Sequence, residues 1–398
     1  MQSVFCVTVT SEESILRNAT NSLIHEMHLL KLTFWLLTSC SCFWYAIAGS
    51  LCVDPGWCVL TDAVVFGNGT IVVPRLAEES RIVKATERHG ESPLITVLAS
   101  SRLVTMAQTR KKIKFGIYKE PYYASENVGH FLGDDIFTIF SALYLWNLQS
   151  IATEDVTIVM PSQYKPVFDR LPIISELYTI LSANPVLFVD HESQHAFDRL
   201  LVGWDSLCYS CVQKKYIGVP MLEAFLRRSA DAFSIRPSNL RHRRRCHVTL
   251  IEKDPVHALH KYVIANAQEI ERKVATTTSC TVQRVSWSSC SLPRQIDIMQ
   301  RTDIALTLPG SDMMNCIFMP TKSAIISASR CNGGADCEGS NEINLWFGGM
   351  PNRHVLFYDY NTTRKYMSWS EQELTWNADH AAEAVRNASI ALGVGSSA

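Results

Sequence analysis

The sequence predicts an α/β protein built from two Rossmann-like domains. Short apolar runs typical of buried strands alternate with helical runs over residues 114–233, and the same alternation returns over 248–327. This alternation favours parallel sheets with helices on both faces. The segment between them, 236–247 (RPSNLRHRRRCH), combines Pro, Ser and Asn with a basic run, which is typical of an interdomain linker. We therefore predict domains at 115–235 and 248–360.

The composition indicates a folded chain long enough for two to three domains. The chain has 398 residues, of which 47% are hydrophobic, and its formal net charge is -1. The hydrophobic content excludes a largely disordered protein. The balanced charge argues against a general nucleic-acid-binding protein, which usually carries a strong basic excess. We expect no nucleic-acid partner.

The N-terminal region contains an uncharged run at 32–53 that is long enough to cross a bilayer, which needs roughly 20 apolar residues. Lys31 precedes this run, which favours a cytoplasmic tail at 1–31. The protein is then a single-pass type II protein of the Golgi or endoplasmic reticulum membrane, with the residues after the apolar run in the lumen. The alternative is a signal peptide that starts at Met27, is cleaved near 46–48 (AIA) and leaves a secreted protein. Both interpretations place the rest of the chain in the secretory pathway.

The remaining elements follow from periodicity and turn residues. Residues 54–114 are predicted to form a small β-rich stem, because strand-type runs flank the hairpin signal Gly67-Asn68-Gly69. The predicted strands are 62–66, 70–73, 156–160, 186–189, 248–251 and 281–285. The predicted helices are 131–148, 171–181, 221–233, 258–274 and 293–300, followed by two helical stretches within 368–392 of the tail 361–398.

The segment 303–327 (DIALTLPGSDMMNCIFMPTKSAIIS) predicts a βαβ unit. A strand at 304–308 leads through a turn at Gly310 into a short helix that Pro320 ends, and a second strand follows. Backbone N–H groups at such a helix start can hold a phosphate. This makes the segment a candidate nucleotide-diphosphate site. The alternative is an ordinary Rossmann-type turn without a ligand.

A second candidate site lies where a loop enters the helix at 131–148. His130 and Asp134 are four residues apart and share a helix face if the helix begins that early. A carboxylate that orients an imidazole makes it a workable general base. The alternative is that Asn127, or the pair Asp134 and Asp135, caps the helix.

The sequence firmly implies no cofactor or metal. It contains no Asp-x-Asp triplet, with which many sugar-nucleotide transferases hold Mn²⁺ or another divalent cation on a diphosphate. Asp134-Asp135 and Asp190-His191-Glu192 contain metal-ligand types, but neither spacing is specific. Lys253 follows a predicted strand, at the edge where open α/β sheets bind ligands, and is a candidate for the phosphate charge. The basic run 241–245 is more typical of a solvated linker.

Cysteines and glycosylation sequons agree with a luminal location. Cys331 could pair with Cys337, and Cys280 could pair with Cys290. Acceptor sequons begin at three asparagines downstream of the apolar run, namely Asn68, Asn361 and Asn387.

Two motifs resemble glycosyltransferase family 61, and the similarity covers about 115–360. Asn127-x-x-His130-x-x-x-Asp134 resembles the Asn/His/Asp signature near the start of that family's catalytic region. DIALTLPGSDMMNCIFMP, which starts at Asp303, resembles its Val-Gly-x-His-Gly-Ala-Gly-Leu-Thr-Asn segment followed by Leu-Phe-Leu-Pro. Gln295 and the next residue resemble the Glu-Gln-Ile that usually precedes that segment. The family includes plant xylosyl- and arabinosyltransferases and animal transferases of protein O-linked N-acetylglucosamine.

The resemblance implies an inverting transferase of GT-B architecture, in which two Rossmann-like domains face a cleft. A UDP-sugar is the expected donor, and a glycan or glycoprotein hydroxyl is the expected acceptor. On the acceptor side the resemblance places Asn127, His130 and Asp134. We assign the neighbouring Asp135 to the same side. On the donor side it places Gly310, Ser311, Asn315 and Gln295.

The sequence departs from the family pattern at several positions that bear on activity. Pro309 stands where the family usually has His, and Asp312-Met313 replaces Gly-Leu. Glu252-Lys253 replaces a Ser-Arg pair, and Ser327 stands near the usual position of a Glu. A catalytically degenerate relative that binds a luminal glycan or protein is therefore the alternative function.

Overall fold

The computed structural model describes residues 50–53, 57–67, 70–73, 80–84, 94–99, 112–121, 127–190, 192–203, 218–235, 246–253, 261–308, 310–328, 347, 355–359, 362–366 and 371–394. Its strands are β1 (Ser50–Val53), β2 (Trp57–Phe66), β3 (Ile71–Val73), β4 (Ser80–Lys84), β5 (Leu94–Ala99), β6 (Ile113–Tyr118), β7 (Val156–Pro161), β8 (Leu187–Val189), β9 (Gln194–Gly203), β10 (His247–Glu252), β11 (Lys261–Ile264), β12 (Thr281–Ser286), β13 (Ile304–Thr307), β14 (Ala324–Ala328), β15 (Val355–Asp359), β16 (Thr362–Tyr366) and β17 (Glu371–Trp376).

The helical elements alternate with these strands. The α-helices are α1 (Val128–His130), α2 (Thr138–Leu145), α3 (Lys165–Arg170), α4 (Pro172–Tyr178), α5 (Val219–Ala232), α6 (Ala267–Thr277), α7 (Leu292–Gln300) and α8 (Ala378–Leu392). A π-helical segment joins α1 to α2 (Phe131–Phe137). The 3₁₀-helices are Thr153–Asp155, Ser162–Tyr164, Trp287–Ser289 and Ser311–Phe318.

The first sheet has the order β4-β5-β3-β2-β9-β6-β7-β8, with β1 paired to β2. The run β9-β6-β7-β8 is parallel, whereas β2 is antiparallel to β9. The predicted β-rich stem therefore contributes its strands to the same sheet as the first predicted Rossmann-like unit. The predicted hairpin is present, since β2 pairs antiparallel with β3 and the Phe66 N–H donates to the Thr70 carbonyl at 2.9 Å.

The second sheet determines where a ligand can lie. Its five strands are all parallel, in the order β12-β10-β13-β14-β15. Ranked along the chain, this is the order 2-1-3-4-5 of a doubly wound fold. Successive connections leave β10 and β13 in opposite directions across the sheet. The switch point therefore lies between the carboxyl ends of these two neighbouring strands.

Helices cover both faces of this sheet because alternate strand residues point to opposite sides. Ile304 and Leu306 of β13 belong to one core with α6 and α8, and Ala305 between them belongs to another with α7 and the 3₁₀-helix Ser311–Phe318. The second core continues into the first half of the chain. There Phe225 of α5 stacks on Phe318, with ring centroids 5.8 Å apart. The two halves thus share apolar packing.

Two predictions about helices are wrong. Residues 258–274 were expected to be one helix, but Lys261–Ile264 form β11, which pairs with β17 before α6 begins. The tail was expected to contain two helical stretches within 368–392, but Glu371–Trp376 is β17 and only one helix, which begins at Ala378, follows in the described part of the tail. In both cases the residues have a pattern compatible with a helix, but they form a strand because they pair with a neighbouring strand. The small sheet that results has the order β11-β17-β16.

The predicted Cys280–Cys290 bridge is also wrong. Cys280 pairs with Cys246, with the two Cα atoms 4.4 Å apart, and Cys290 is a free thiol. The parallel register explains the pairing, because the two cysteines immediately precede the register partners His247 and Thr281. The predicted Cys331–Cys337 bridge lies outside the described residues.

The apolar run at 32–53 is described only at its end. There Ser50–Val53 form β1, whose backbone pairs with β2, so these four residues belong to the sheet and the predicted span is four residues too long. Residues 1–49 lie outside the described part. Among the described residues, none of the helices has the length and apolarity needed to cross a bilayer.

Of the three predicted glycosylation sequons, those at Asn68 and Asn361 lie outside the described residues. Asn387 is half-buried within α8.

Arg228 of α5 anchors that helix to the first half of the chain. Its guanidinium donates to the carbonyl oxygens of Gln149, Ile151, Ile180 and Leu181, at 2.8–3.2 Å. Burial lowers the pKa of this group, and Glu154 acts in the opposite direction. The planar fork of donors reaches two separate loops at once.

Arg228→Lys should lower the free energy of unfolding by about 2–4 kcal/mol, because an ammonium cannot reach all four carbonyls and each hydrogen bond from a charged donor contributes about 1.5–3 kcal/mol. Chemical denaturation measures the change. Arg227→Lys, one residue away on the exposed side of α5, is the matched control and should change stability by less than about 0.5 kcal/mol. Equal losses of unfolding free energy in the two variants would contradict the role of Arg228 as an anchor of α5.

Candidate functional site

The carboxyl ends of β10 and β13 carry the residues predicted to bind a donor. β10 ends at Glu252 and is followed by Lys253, whereas β13 leads to Gly310 and the 3₁₀-helix Ser311–Phe318. In doubly wound sheets, ligands bind outside the carboxyl ends of the strands at the switch point. The structure therefore brings Lys253, Gly310 and Ser311 to that edge.

The predicted strand–turn–helix–strand unit is confirmed, and β13 and β14 are parallel neighbours. The helix differs from a standard α-helix, because Ser311–Phe318 is a 3₁₀-helix. Gly310 has φ 125° and ψ -169°, a backbone conformation that side-chain-bearing residues rarely adopt. The glycine in this turn is therefore required by the backbone itself.

Asp312, in the first turn of this 3₁₀-helix, introduces a carboxyl group at the candidate donor edge. Burial raises the pKa of this carboxyl, and the nearby Lys253 acts in the opposite direction. The indole N–H of Trp287 donates to the Asp312 carbonyl oxygen at 3.0 Å and fixes the turn. The edge thus presents one cationic and one acidic side chain close together.

Gln295 and Asn315, both placed on the donor side by the resemblance, occupy different positions. Gln295 is buried in α7, and its amide donates to the carbonyls of Trp287 at 3.2 Å and Cys290 at 2.9 Å. It supports the turn that carries Trp287. Asn315 lies on the 3₁₀-helix itself and is 8% exposed. Its amide makes no hydrogen bond within the part of the chain that the structure describes.

His130 and Asp134 form the pair that the spacing predicts. The His130 Nδ1 lies 2.6 Å from the Asp134 Oδ2, the aspartate is fully buried, and the histidine side chain is 26% exposed. The capping alternative holds for Asn127, whose side-chain oxygen accepts from the Gly129 N–H at 3.0 Å. Asn127 thus starts the helix, and the buried carboxylate orients an imidazole that reaches the surface.

The π-helical segment directs the neighbouring aspartates to different partners. Asp134 contacts His130, whereas Asp135 pairs with Lys119 at 3.0 Å, with both charged groups buried. The two carboxylates are therefore not positioned as a joint ligand pair. In the described part of the chain, no three His, Cys, Asp or Glu side chains form a group that could hold a metal ion. Asp190 and Glu192 are described, and His191 between them is not.

Sequence reasoning missed Lys119 and Glu120, which directly follow β6. The Tyr164 hydroxyl donates to the Glu120 Oε2 at 2.9 Å. Burial raises the pKa of Glu120, and Tyr164 and Lys119 act in the opposite direction. Their position after the apolar run 115–118 is the signal that could have found them, because strand carboxyl ends carry functional side chains in α/β sheets.

The two motifs meet in space through a glycine. Helix α1 packs on the 3₁₀-helix Ser311–Phe318, and a Cβ added to Gly129 would lie 2.7 Å from the Cα of Ser311. A Cβ atom essentially never lies this close to a backbone atom, so a side chain at Gly129 would push the two helices apart. The absence of a side chain at Gly129 thus lets His130 stand next to the turn that begins at Gly310.

Residues 128–326 match the family described as Glycosyltransferase 61. The chain belongs to glycosyltransferase family 61. The match begins at α1, one residue after Asn127, and ends within β14, so it covers His130, Asp134 and the segment 303–320. The resemblance seen in the sequence is confirmed, and family membership supports a glycosyltransferase. A comparison with curated proteins gives no match for this chain.

Gly129→Ala should lower the free energy of unfolding by about 1–3 kcal/mol, because the new methyl group meets the Ser311 backbone and overpacking costs about that much. Thermal unfolding with van't Hoff analysis measures the change. Gly218→Ala is the control, since a Cβ there would come no closer than 3.4 Å to Pro220. A Gly129→Ala protein as stable as the Gly218→Ala protein would show that the two motifs are not in close contact.

Proposed function

We propose that this family 61 protein is an inverting glycosyltransferase of GT-B architecture that moves a sugar from a UDP-sugar to a hydroxyl of a glycan or glycoprotein. The single observation that carries the proposal is the close contact between Gly129 and Ser311. It joins a carboxylate-oriented histidine to the switch-point edge of a doubly wound sheet. An acceptor base and a nucleotide edge must be adjacent for direct transfer.

On the acceptor side, His130 is the general base. Because Nδ1 is held by Asp134, the proton of the acceptor hydroxyl goes to Nε2. The acceptor oxygen forms its bond to the anomeric carbon of the donor as the bond from that carbon to the diphosphate oxygen breaks, on the opposite face. The electron pair leaves with UDP, and the buried Asp134 stabilises the imidazolium.

On the donor side, backbone N–H groups at the start of the 3₁₀-helix and the ammonium group of Lys253 stabilise the charge that develops on UDP. Ser311 adds a hydroxyl donor at the same turn. A divalent cation is an open alternative for part of this charge, and activity with and without Mn²⁺ tests it.

We place the reaction in the lumen of the secretory pathway, with the apolar run at 32–49 as anchor or signal peptide. The Cys246–Cys280 disulfide supports this location, because such bridges persist in oxidising compartments. A secreted form without an anchor is the alternative.

The position of Asp312 favours a second candidate function. A carboxylate in the first turn of the 3₁₀-helix would repel a bound diphosphate. The family pattern that the sequence resembles has Gly at the position of Asp312. The second candidate is a catalytically degenerate relative that binds a luminal glycan or protein. Glycan binding without any UDP binding would favour it.

His130→Ala should lower the turnover number by about 100- to 10,000-fold, since a general base typically contributes that much. The measurement is UDP release by the full-length protein with UDP-glucose, UDP-xylose and UDP-N-acetylglucosamine and a glycan acceptor. Asp134→Asn should lower turnover in the same direction, because it misorients the ring. UDP affinity, measured by calorimetry, should stay within about twofold, because neither side chain binds the donor phosphates.

His380→Ala, at an exposed position at the start of α8, is the matched control and should keep full turnover. Turnover in His130→Ala equal to that of the wild type would remove His130 from the mechanism. Absence of turnover by the wild type across the donors, with glycan binding intact, would favour the degenerate relative.

A further inference from the structure

The helical stretch that carries His130 and Asp134 has an unusual backbone. Phe131–Phe137 is π-helical, whereas the segments on either side of it are α-helical. A π-helical hydrogen bond spans five residues instead of four, and such turns are rare and occur frequently at functional sites. Specific side chains therefore have to favour this turn over a continuous α-helix.

The hydroxyl of Thr138, the first residue of α2, holds the backbone of Asp134. In an α-helix the Thr138 N–H would donate to the Asp134 carbonyl, four residues earlier. Here that N–H donates to the Asp135 carbonyl instead. The Thr138 hydroxyl donates to the Asp134 carbonyl and, at 3.1 Å, to the Asp135 carbonyl. Because Thr138 is fully buried, bulk water cannot take the place of this hydroxyl.

Lys119 holds the same segment from the first sheet. Its backbone N–H donates to the Val159 carbonyl of β7 at 3.2 Å, so Lys119 continues the strand pairing of β6. Its ammonium group lies 3.0 Å from the Asp135 Oδ1, and both side chains are buried. The edge of a sheet thus fixes one residue of the π-helical segment. The residue before it, Asp134, reaches the His130 Nδ1 at 2.6 Å.

We propose that Lys119 and Thr138 are positioning residues that hold the π-helical segment so that Asp134 orients His130. The assignment rests on the proposed function, in which His130 is the base. Both side chains are fully buried, so they act through Asp134 and His130 and not on the substrate. A misplacement of about 1 Å at a reacting group can cost about 100-fold in rate, so the reaction depends on this turn.

Lys119→Met combined with Asp135→Leu tests the first contact, because an apolar pair often keeps a fold as stable as a buried ion pair does. The full-length double variant should keep its thermal unfolding midpoint, whereas kcat for UDP release should fall by about 10- to 100-fold at an unchanged KM. Lys114→Met is the control and should keep full turnover. It removes an exposed ion pair with Asp155 near the start of the same strand, β6.

Thr138→Val tests the second contact, because it keeps the shape of the side chain and removes the hydroxyl. The value of kcat should fall by about tenfold or more at an unchanged KM, and Thr138→Ser, which restores a hydroxyl, should recover most of the loss. Ser141→Ala is the matched control and should keep full turnover. The buried Ser141 hydroxyl makes the same kind of hydrogen bond, to the Phe137 carbonyl at 2.9 Å, but within the regular helix α2.

A spectroscopic measurement makes the test independent of turnover. In full-length protein whose histidines carry an NMR-active nitrogen isotope, a proton on Nδ1 that is shared with the buried Asp134 should give a downfield resonance. His130→Ala should abolish this resonance and thereby assign it. The double variant and Thr138→Val should shift or lose it, whereas Lys114→Met and Ser141→Ala should keep it.

An unmoved resonance, or full turnover, in the double variant or in Thr138→Val would overturn the assignment. A wild type without this resonance would also overturn it, because the bond between His130 and Asp134 would then be absent. A wild type that transfers no sugar would instead overturn the proposed function. The resonance would then still show whether Lys119 and Thr138 orient His130.

Discussion

The close approach of helix α1 to the turn after β13 is the constraint on which the candidate site depends. Gly129 and Gly310 permit it in different ways. Gly129 leaves room for the Ser311 backbone, and Gly310 adopts a positive φ that lets the chain turn directly from the strand into the 3₁₀-helix. With a side chain at either position, His130 and the switch-point edge would move apart. The position of His130 beside this edge therefore depends on the backbone at these two glycines.

Buried charge holds the helix that presents His130. The ion pair between Lys119 and Asp135 is fully buried, so the desolvation of the two charges offsets much of their attraction, and an apolar pair often stabilises a fold equally well. The contribution of this pair is to position the chain. It fixes the π-helical segment to the carboxyl end of β6, and the preceding residue, Asp134, is then directed at His130. Loss of one partner would leave an uncompensated buried charge in the segment that positions Asp134 and His130.

Sequence patterns predicted the parts of this site that depend on local chemistry. The turn at Gly310, the strands around it and the spacing of His130 and Asp134 can be inferred from glycine, proline and residue type at short range. The parts that depend on register could not be predicted. The Cys246–Cys280 pairing follows from the alignment of β10 with β12, and β11 exists because β17 pairs with it. Likewise, Asp135 and Lys119 meet only after β6 and the π-helical segment have packed.

The central claim is that a nucleotide diphosphate binds between the carboxyl ends of β10 and β13. Calorimetric titration of UDP into the full-length protein tests it most directly, with Lys253→Met and Lys322→Met compared. Lys322 is the matched control, because it is exposed just before β14, at the amino edge of the same sheet. The account predicts that Lys253→Met weakens UDP binding by about tenfold or more, the loss of one charge-assisted contact, and that Lys322→Met leaves it unchanged. Equal affinity in the two variants, or no UDP binding by the wild type, would contradict it.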